Sequence, residues 1–242
     1  MHKSICPEDG PTNKADCLNW IFQRMTLQEE AAGTHYQVIV QHDAEDIVHP
    51  KAFKLINRLA DDYDMVQIPV FPLEMSWDHF THGTYCDEFA EYQVKDIFTR
   101  QAAGGFLPSA GVGTAFRREA LEEIAAHYRN QIFNVNTLTE DYEIGLKFSL
   151  HGKKQVLVRE AIALNGNGYG ARKNGKIDGD GPASGPRSGH RSGGNKSSNG
   201  KGRARQEFVA TREYFPDSFT GAVRQKSRWV MGVALQIGRA HV

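Results

Sequence analysis

Apolar residues recur along this chain at two different spacings, and the spacing changes several times. Between Asn13 and Ala31 they fall at Leu18, Ile21, Phe22 and Met25, the three-and-four step that lines one helix face. Tyr36 to Gln41 is a short β-rich run instead, and it stops abruptly at His42-Asp43-Ala44-Glu45-Asp46. Pro50 opens a second helix holding Phe53, Leu55, Ile56 and Leu59, since the first turn of a helix tolerates a missing N–H. Met65 to Phe71 reads as a second strand, its Pro69 marking an edge or a strand end. Tyr85 to Gln101 is helical, with Phe89, Tyr92, Ile97 and Phe98 on a broad apolar side. Gly111 to Phe116 reads as a strand approached through glycines, followed by a helix from Arg118 to Tyr128. Thr139-Glu140-Asp141 offers an N-cap and an acidic first turn for another helix. Gln155 to Val158 is a strand, and Pro216 to Gln236 a long final helix. Strands alternating with helices predict an α/β sheet with helices on both faces. In such sheets ligands collect beyond the carboxyl ends of the strands, where Asp43, Glu45 and Asp46 fall.

Composition narrows the possible functions. The 242 residues are 40% hydrophobic, enough for one substantial core. With 29 basic and 29 acidic side chains the chain is neutral overall, which argues against a non-specific nucleic-acid or membrane-surface binder. No apolar run is long enough to span a bilayer, and the polar stretch through Gly10 has no signal-peptide character. Cys6, Cys17 and Cys86 show no C-x-x-C spacing, which disfavours a disulfide framework and a structural zinc site. The charge is unevenly spread. Residues 170–203 hold ten glycines, no aromatic residue and eight Lys/Arg against two Asp. Such a stretch cannot bury enough apolar surface to offset its ordering entropy, so it reads as a disordered insertion. It is either a solvated linker or a tether for phosphates or anionic lipid.

Several polar clusters could carry chemistry, and each also has an ordinary explanation. Asp43, Glu45 and Asp46 repel one another unless a cation or solvent relieves them, and hard carboxylate oxygens suit Mg2+ or Mn2+ bridging a diphosphate. The ordinary alternative is a solvated acidic turn before a helix. Asp141, next to Glu140, is either a general base or simply an acidic residue in a first helical turn. Gln225, Arg228 and Trp229 share one helix face, presenting an amide, a guanidinium and an indole to a diphosphate and its sugar; alternatively the indole belongs to the core. Lys14 and Asp16 open the first helix. Gly113 and Thr114 stand where small side chains would let a substrate approach the backbone. His79 and His82 lack nearby ligand partners and read as surface or core histidines.

In their order along the chain, Lys14-Ala15-Asp16, Asp43-Ala44-Glu45-Asp46, Gly113-Thr114-Ala115-Phe116-Arg117, Thr139-Glu140-Asp141 and Gln225-x-x-Arg228-Trp229 resemble the family 2 glycosyltransferases. The likeness is greatest to the membrane-embedded, processive branch that includes bacterial cellulose synthase. It implies a GT-A-like (Rossmann-like) fold, an inverting transfer, and a nucleotide-diphosphate sugar donor, first of all a UDP-sugar. It further implies a metal at Asp43 and Glu45 or Asp46, a catalytic base at Asp141, and a uridine side lined by Lys14 and Asp16. Gln225, Arg228 and Trp229 would close over the diphosphate, with Gly113 and Thr114 on the side of a glycan acceptor.

Two departures follow from the same likeness. The family's first strand and uracil-binding Asp lie upstream of the stretch matched by Lys14, so the sheet is expected to be incomplete at its N-terminus. Relatives carry flanking membrane helices, which would put the full-length protein on the cytoplasmic face of the bacterial inner membrane. The expected organisation is one catalytic domain over residues 1–169 and 204–236, the insertion 170–203, and a non-native tail at 237–242. This chain alone is expected to turn over no nucleotide sugar. The competing identities are a nucleotidyltransferase, or a non-catalytic module acting as a phage-receptor component or nucleotide sensor.

Overall fold

The computed structural model describes residues 4–6, 9–10, 12–76, 78–163 and 206–239. It falls into two compact units, Met1–Glu160 with Val209–Val242, and Ala161–Phe208. In the smaller unit, β7 (Ala161–Ala163) and β8 (Gln206–Phe208) pair antiparallel. The predicted basic insertion lies outside the described residues.

The larger unit opens with α1 (Lys14–Ala32), whose N-terminus is capped by the Asn13 side chain accepting from the Asp16 N–H. Then follow β1 (Val38–Gln41), β2 (Ile47–Val48), α2 (Ala52–Leu59), β3 (Met65–Gln67) and β4 (Val70–Pro72). α3 (Phe80–Glu91) passes through one π-helical turn, Tyr92–Asp96, into α4 (Ile97–Ala102). β5 (Thr114–Arg117), α5 (Arg118–His127), α6 (Glu140–Leu150) and β6 (Gln155–Leu157) complete the first stretch. After the smaller unit come β9 (Thr211–Glu213) and α7 (Phe219–Arg239). The last helix thus runs three residues beyond its predicted end at Gln236. Among the described residues no helix is long and apolar enough to cross a membrane.

The main sheet has the order β1-β5-β3-β6. β3 and β6 are parallel, and β5 runs antiparallel to both β1 and β3, so three of the four strands point the same way. Met65, Phe116 and Leu157 pack on one face with Phe22 of α1, Ile97 of α4, Leu121 and Ile124 of α5, and Ile144 and Phe148 of α6. Val66 and Ala115, one residue out of phase, face the other side. The result is the expected GT-A-like α/β sheet, with α1, α4, α5 and α6 packed on one face.

A second sheet, β2-β9-β4, explains where the sequence pattern misled. The apolar run 65–71 reads as one strand but divides at Ile68-Pro69. The Ile68 N–H donates to Gly113 O at 2.8 Å, and Pro69 O accepts from the Thr211 N–H at 2.8 Å, so the chain leaves the first sheet for the second. β2, directly after Asp46, pairs with β9, which thereby brings Glu213 to the carboxyl end of the main sheet.

That end is organised by Gln67, a residue with 2% exposure. Its Oε1 accepts from the Ala110 N–H at 2.9 Å and the Thr114 hydroxyl at 2.7 Å. Its Nε2 donates to Ile68 O at 2.8 Å and Val112 O at 2.9 Å. One buried amide therefore fixes the whole 110–114 segment. Gln67→Leu would leave these buried groups unpaired and is expected to cost at least about 3 kcal/mol, read as a fall in the urea midpoint at unchanged slope. A midpoint within error of the wild type would remove Gln67 from this role.

Candidate active site

A cavity of about 450 Å³ opens at the carboxyl end of the main sheet. That is the size of a small-molecule site. Lys14, Asp43, Glu140, Asp141, Gln225, Arg228 and Trp229 all line it, although they come from four separate stretches of sequence.

Lys14 stands at the first turn of α1 and its Nζ lies 2.7 Å from Asp43 Oδ1. Burial works against its charge, but the Asp43 carboxylate, with Asp141 and Glu140 behind it, holds the ammonium above its ordinary range. Asp43 follows β1 directly and is fixed by a turn in which Asp46 Oδ2 accepts from the Asp43 N–H at 3.0 Å. The same Oδ2 lies 2.8 Å from His42 Nδ1. Asp46 is therefore a turn-former with a side chain only 1% exposed, and its buried Oδ1 has no hydrogen-bond partner among the described residues. Glu45 is exposed and does not line the cavity.

Asp141 sits in the first turn of α6, against the backbone of Gly111. A Cβ added to that glycine, at φ +77°, would come 2.8 Å from Asp141 Oδ2. Burial, then the neighbouring Glu140, pushes the Asp141 carboxyl up to about 6, against the opposing pull of Lys14 and the Tyr142 N–H. Thr139 occupies the N-cap position of α6 but makes no side-chain capping bond, contrary to the sequence expectation. Its side chain is buried against α7: a Cβ on Gly232 would meet Thr139 Cγ2 at 2.4 Å. The bare glycine is what lets the last helix close on the start of α6.

On α7, Gln225 and Trp229 face the cavity beside the exposed Arg228. The indole belongs to an aromatic cluster with Tyr85, Phe89 and Phe215, at centroid distances of 6.4, 6.3 and 6.5 Å. Trp229 therefore packs in an aromatic cluster and also forms part of the cavity wall.

Besides Glu45 and Asp46, three predicted residues lie outside the cavity wall. Asp16 accepts from the Thr12 hydroxyl at 2.6 Å and stays out of the cavity wall. Thr114 is wholly buried and spends its hydroxyl on Gln67. Gly113, at φ +61°, is pressed against Thr211, whose Oγ1 would lie 2.6 Å from an added Cβ. Their neighbours Ala110 and Val112 line the cavity instead. His82 is a core histidine, its Nε2 2.6 Å from Leu73 O.

Among the ionisable residues that line the cavity, one escaped the sequence pattern. Glu213, on β9, is pushed up to about 7 by burial and by the Asp46, Asp43 and Glu45 carboxylates, against the pull of Lys14. A three-residue strand leaves no periodic signal, and only its pairing with β2 and β4 places it.

The profile of the family described as "Glycosyl transferase family group 2" matches residues 38–241. The chain belongs to this family. Two Escherichia coli proteins are similar throughout: "Bacteriophage adsorption protein B" of strain K12 and "Bacteriophage N4 adsorption protein B" of O157:H7. Each is 38% identical over 241 residues, which is 100% of this chain but 29% of the relative. The chain thus spans under a third of the length of these relatives.

The raised Asp141 carboxyl has a cost in stability. It binds its proton more tightly in the fold than in the unfolded chain, so its contribution is fully present below about pH 4 and is lost as pH rises through about 6. Asp141→Asn removes that loss. Its thermal midpoint is expected to exceed the wild type by several degrees at pH 8, on the order of 1–3 kcal/mol, and to match it near pH 4. Equal midpoints at both pH values would contradict this picture.

Proposed function

We propose that the cavity transfers a sugar, with inversion, from a nucleotide-diphosphate donor to a hydroxyl of a glycan acceptor. A UDP-sugar is the first donor to test, and synthesis of a cell-surface glycan is the process the reaction serves. The full-length protein would act at the cytoplasmic face of the bacterial inner membrane. The observation that carries the reading is that one cavity gathers Lys14, Asp43, Asp141, Gln225, Arg228 and Trp229 in a chain of this family.

Asp141, with a carboxyl near 6, is ionised at neutral pH yet basic enough to take a proton from the acceptor hydroxyl. The acceptor oxygen attacks the anomeric carbon as the bond to the diphosphate oxygen breaks, and the nucleotide diphosphate leaves. Arg228 pairs with phosphate oxygens, Lys14 adds a positive charge beside them, and Trp229 offers the sugar a flat apolar wall. Glu140, at the cavity wall, supports the base by raising its proton affinity.

The chemistry of the acidic loop fits Mg2+ or Mn2+. Asp43 and Glu213 line the cavity with hard oxygens, Asp46 beside them has one buried oxygen without a hydrogen-bond partner, and the repulsion that adds to burial in lifting Glu213 would be relieved by a cation. Among the described residues no three His, Cys, Asp or Glu side chains are already gathered as a metal site, so the diphosphate itself would supply part of the shell. Bound there, the ion would neutralise charge on the departing diphosphate. Glu45 is the outer member of this loop. The names of the two relatives favour a second reading, a phage-adsorption component that keeps the fold without the chemistry.

A mass-spectrometric screen of nucleotide sugars for released nucleotide diphosphate, run on this chain and on longer versions of it, separates these readings. Transfer is expected from one donor class in the longer versions, with Asp141→Asn there slower by about 10² to 10⁴. Release that survives Asp141→Asn unchanged would remove Asp141 from the mechanism.

A further inference from the structure

Tyr85 is wholly buried on α3, more than twenty residues from any motif that pointed to function, yet its hydroxyl reaches Gln225 in the cavity wall. It donates to Gln225 Oε1 at 2.9 Å, and lies 3.5 Å from Ala222 O one turn earlier on α7. The ring cannot swing away. It stacks on Phe215 at a centroid distance of 5.0 Å, meets Trp229 edge-on, and carries Lys226 Nζ 4.5 Å above its face. Lys226 is in turn paired with Glu88 of α3. Burial, with Glu88 nearby, raises the phenol above its ordinary range, so it stays protonated and remains a donor.

A glutamine amide has one accepting end and one donating end, and the surroundings decide which faces a ligand. Here the oxygen end is taken, and among the described residues Gln225 Nε2 has no hydrogen-bond partner. We propose that Tyr85 is a positioning residue for the transfer reaction: by holding Gln225 Oε1 it makes the amide present N–H groups, and not its oxygen, to the diphosphate oxygens of the donor. An amide turned the other way would set an oxygen against an anion. The inference rests on the diphosphate reading above and adds to it a residue that never touches the ligand.

The test is calorimetric titration with UDP in the presence of Mn2+, on the wild type, Tyr85→Phe, Gln225→Met, their double variant and Gln225→Glu. Tyr85→Phe keeps the ring and its packing, and is expected to weaken UDP about five- to tenfold. Gln225→Met is expected to weaken it at least as much. The double variant should bind no worse than Gln225→Met alone, within about twofold, because Tyr85 acts only through the amide. Gln225→Glu can still accept from Tyr85 but has no N–H to give, and should bind UDP more weakly than Gln225→Met. A merely structural role would lower the thermal midpoint and weaken UDP by the same factor in both backgrounds, which would overturn the proposal. So would wild-type affinity in Tyr85→Phe or in Gln225→Glu, the latter readable even where Tyr85→Phe folds poorly. Failure of the wild type itself to bind UDP would overturn the diphosphate reading along with this one.

Discussion

At the carboxyl end of the main sheet, Asp43, Asp141 and Glu213 share a partly desolvated cavity with Lys14, and two of the three carboxyls stand well above their ordinary range. Burial and mutual repulsion both oppose ionisation there, and the Lys14–Asp43 pair at 2.7 Å relieves only part of it. A fold tolerates such crowding where something else gains from it. A diphosphate with its cation, the proposed ligand, would bring positive charge to the acidic loop and negative charge to the Arg228 side. The same ligand would therefore satisfy both ends of the cavity.

Holding that charge in place falls to residues that do no chemistry. Gln67 ties the 110–114 segment to the end of β3, so Gly111 can lie against Asp141. Gly232 lets α7 press on Thr139 at the start of α6, linking the helix that carries Gln225 to the one that carries Asp141. β9 connects the acidic turn to the second sheet and delivers Glu213. Each of these is a local fit between backbone and a single side chain, so a small displacement at any of them would move a side chain of the cavity.

Much of this was legible in the sequence, for identifiable reasons. The long helices announce themselves by apolar spacing, and the carboxylates after Val38-Ile39-Val40-Gln41 fall where an α/β sheet collects ligands. The family likeness led to Lys14, Asp43, Asp141, Gln225, Arg228 and Trp229, and the fold brings all six to one cavity. What stayed hidden is defined by partners distant in sequence. β2 and β9 are too short for a period, Pro69 marks a change of sheet that looks like an ordinary strand end, and Glu213 has meaning only once β9 is paired. Asp16, Gly113 and Thr114 show the converse: their residue types suit a ligand, but helix start and core use them locally.

The central claim is that the crowded carboxylates form one half of a cation-bridged diphosphate site. UDP titrated calorimetrically into the wild-type chain at neutral pH, once with Mn2+ and once in EDTA, tests it most directly. The account predicts clear binding with the metal and at least tenfold weaker binding in EDTA. Equal affinity in the two titrations would contradict it.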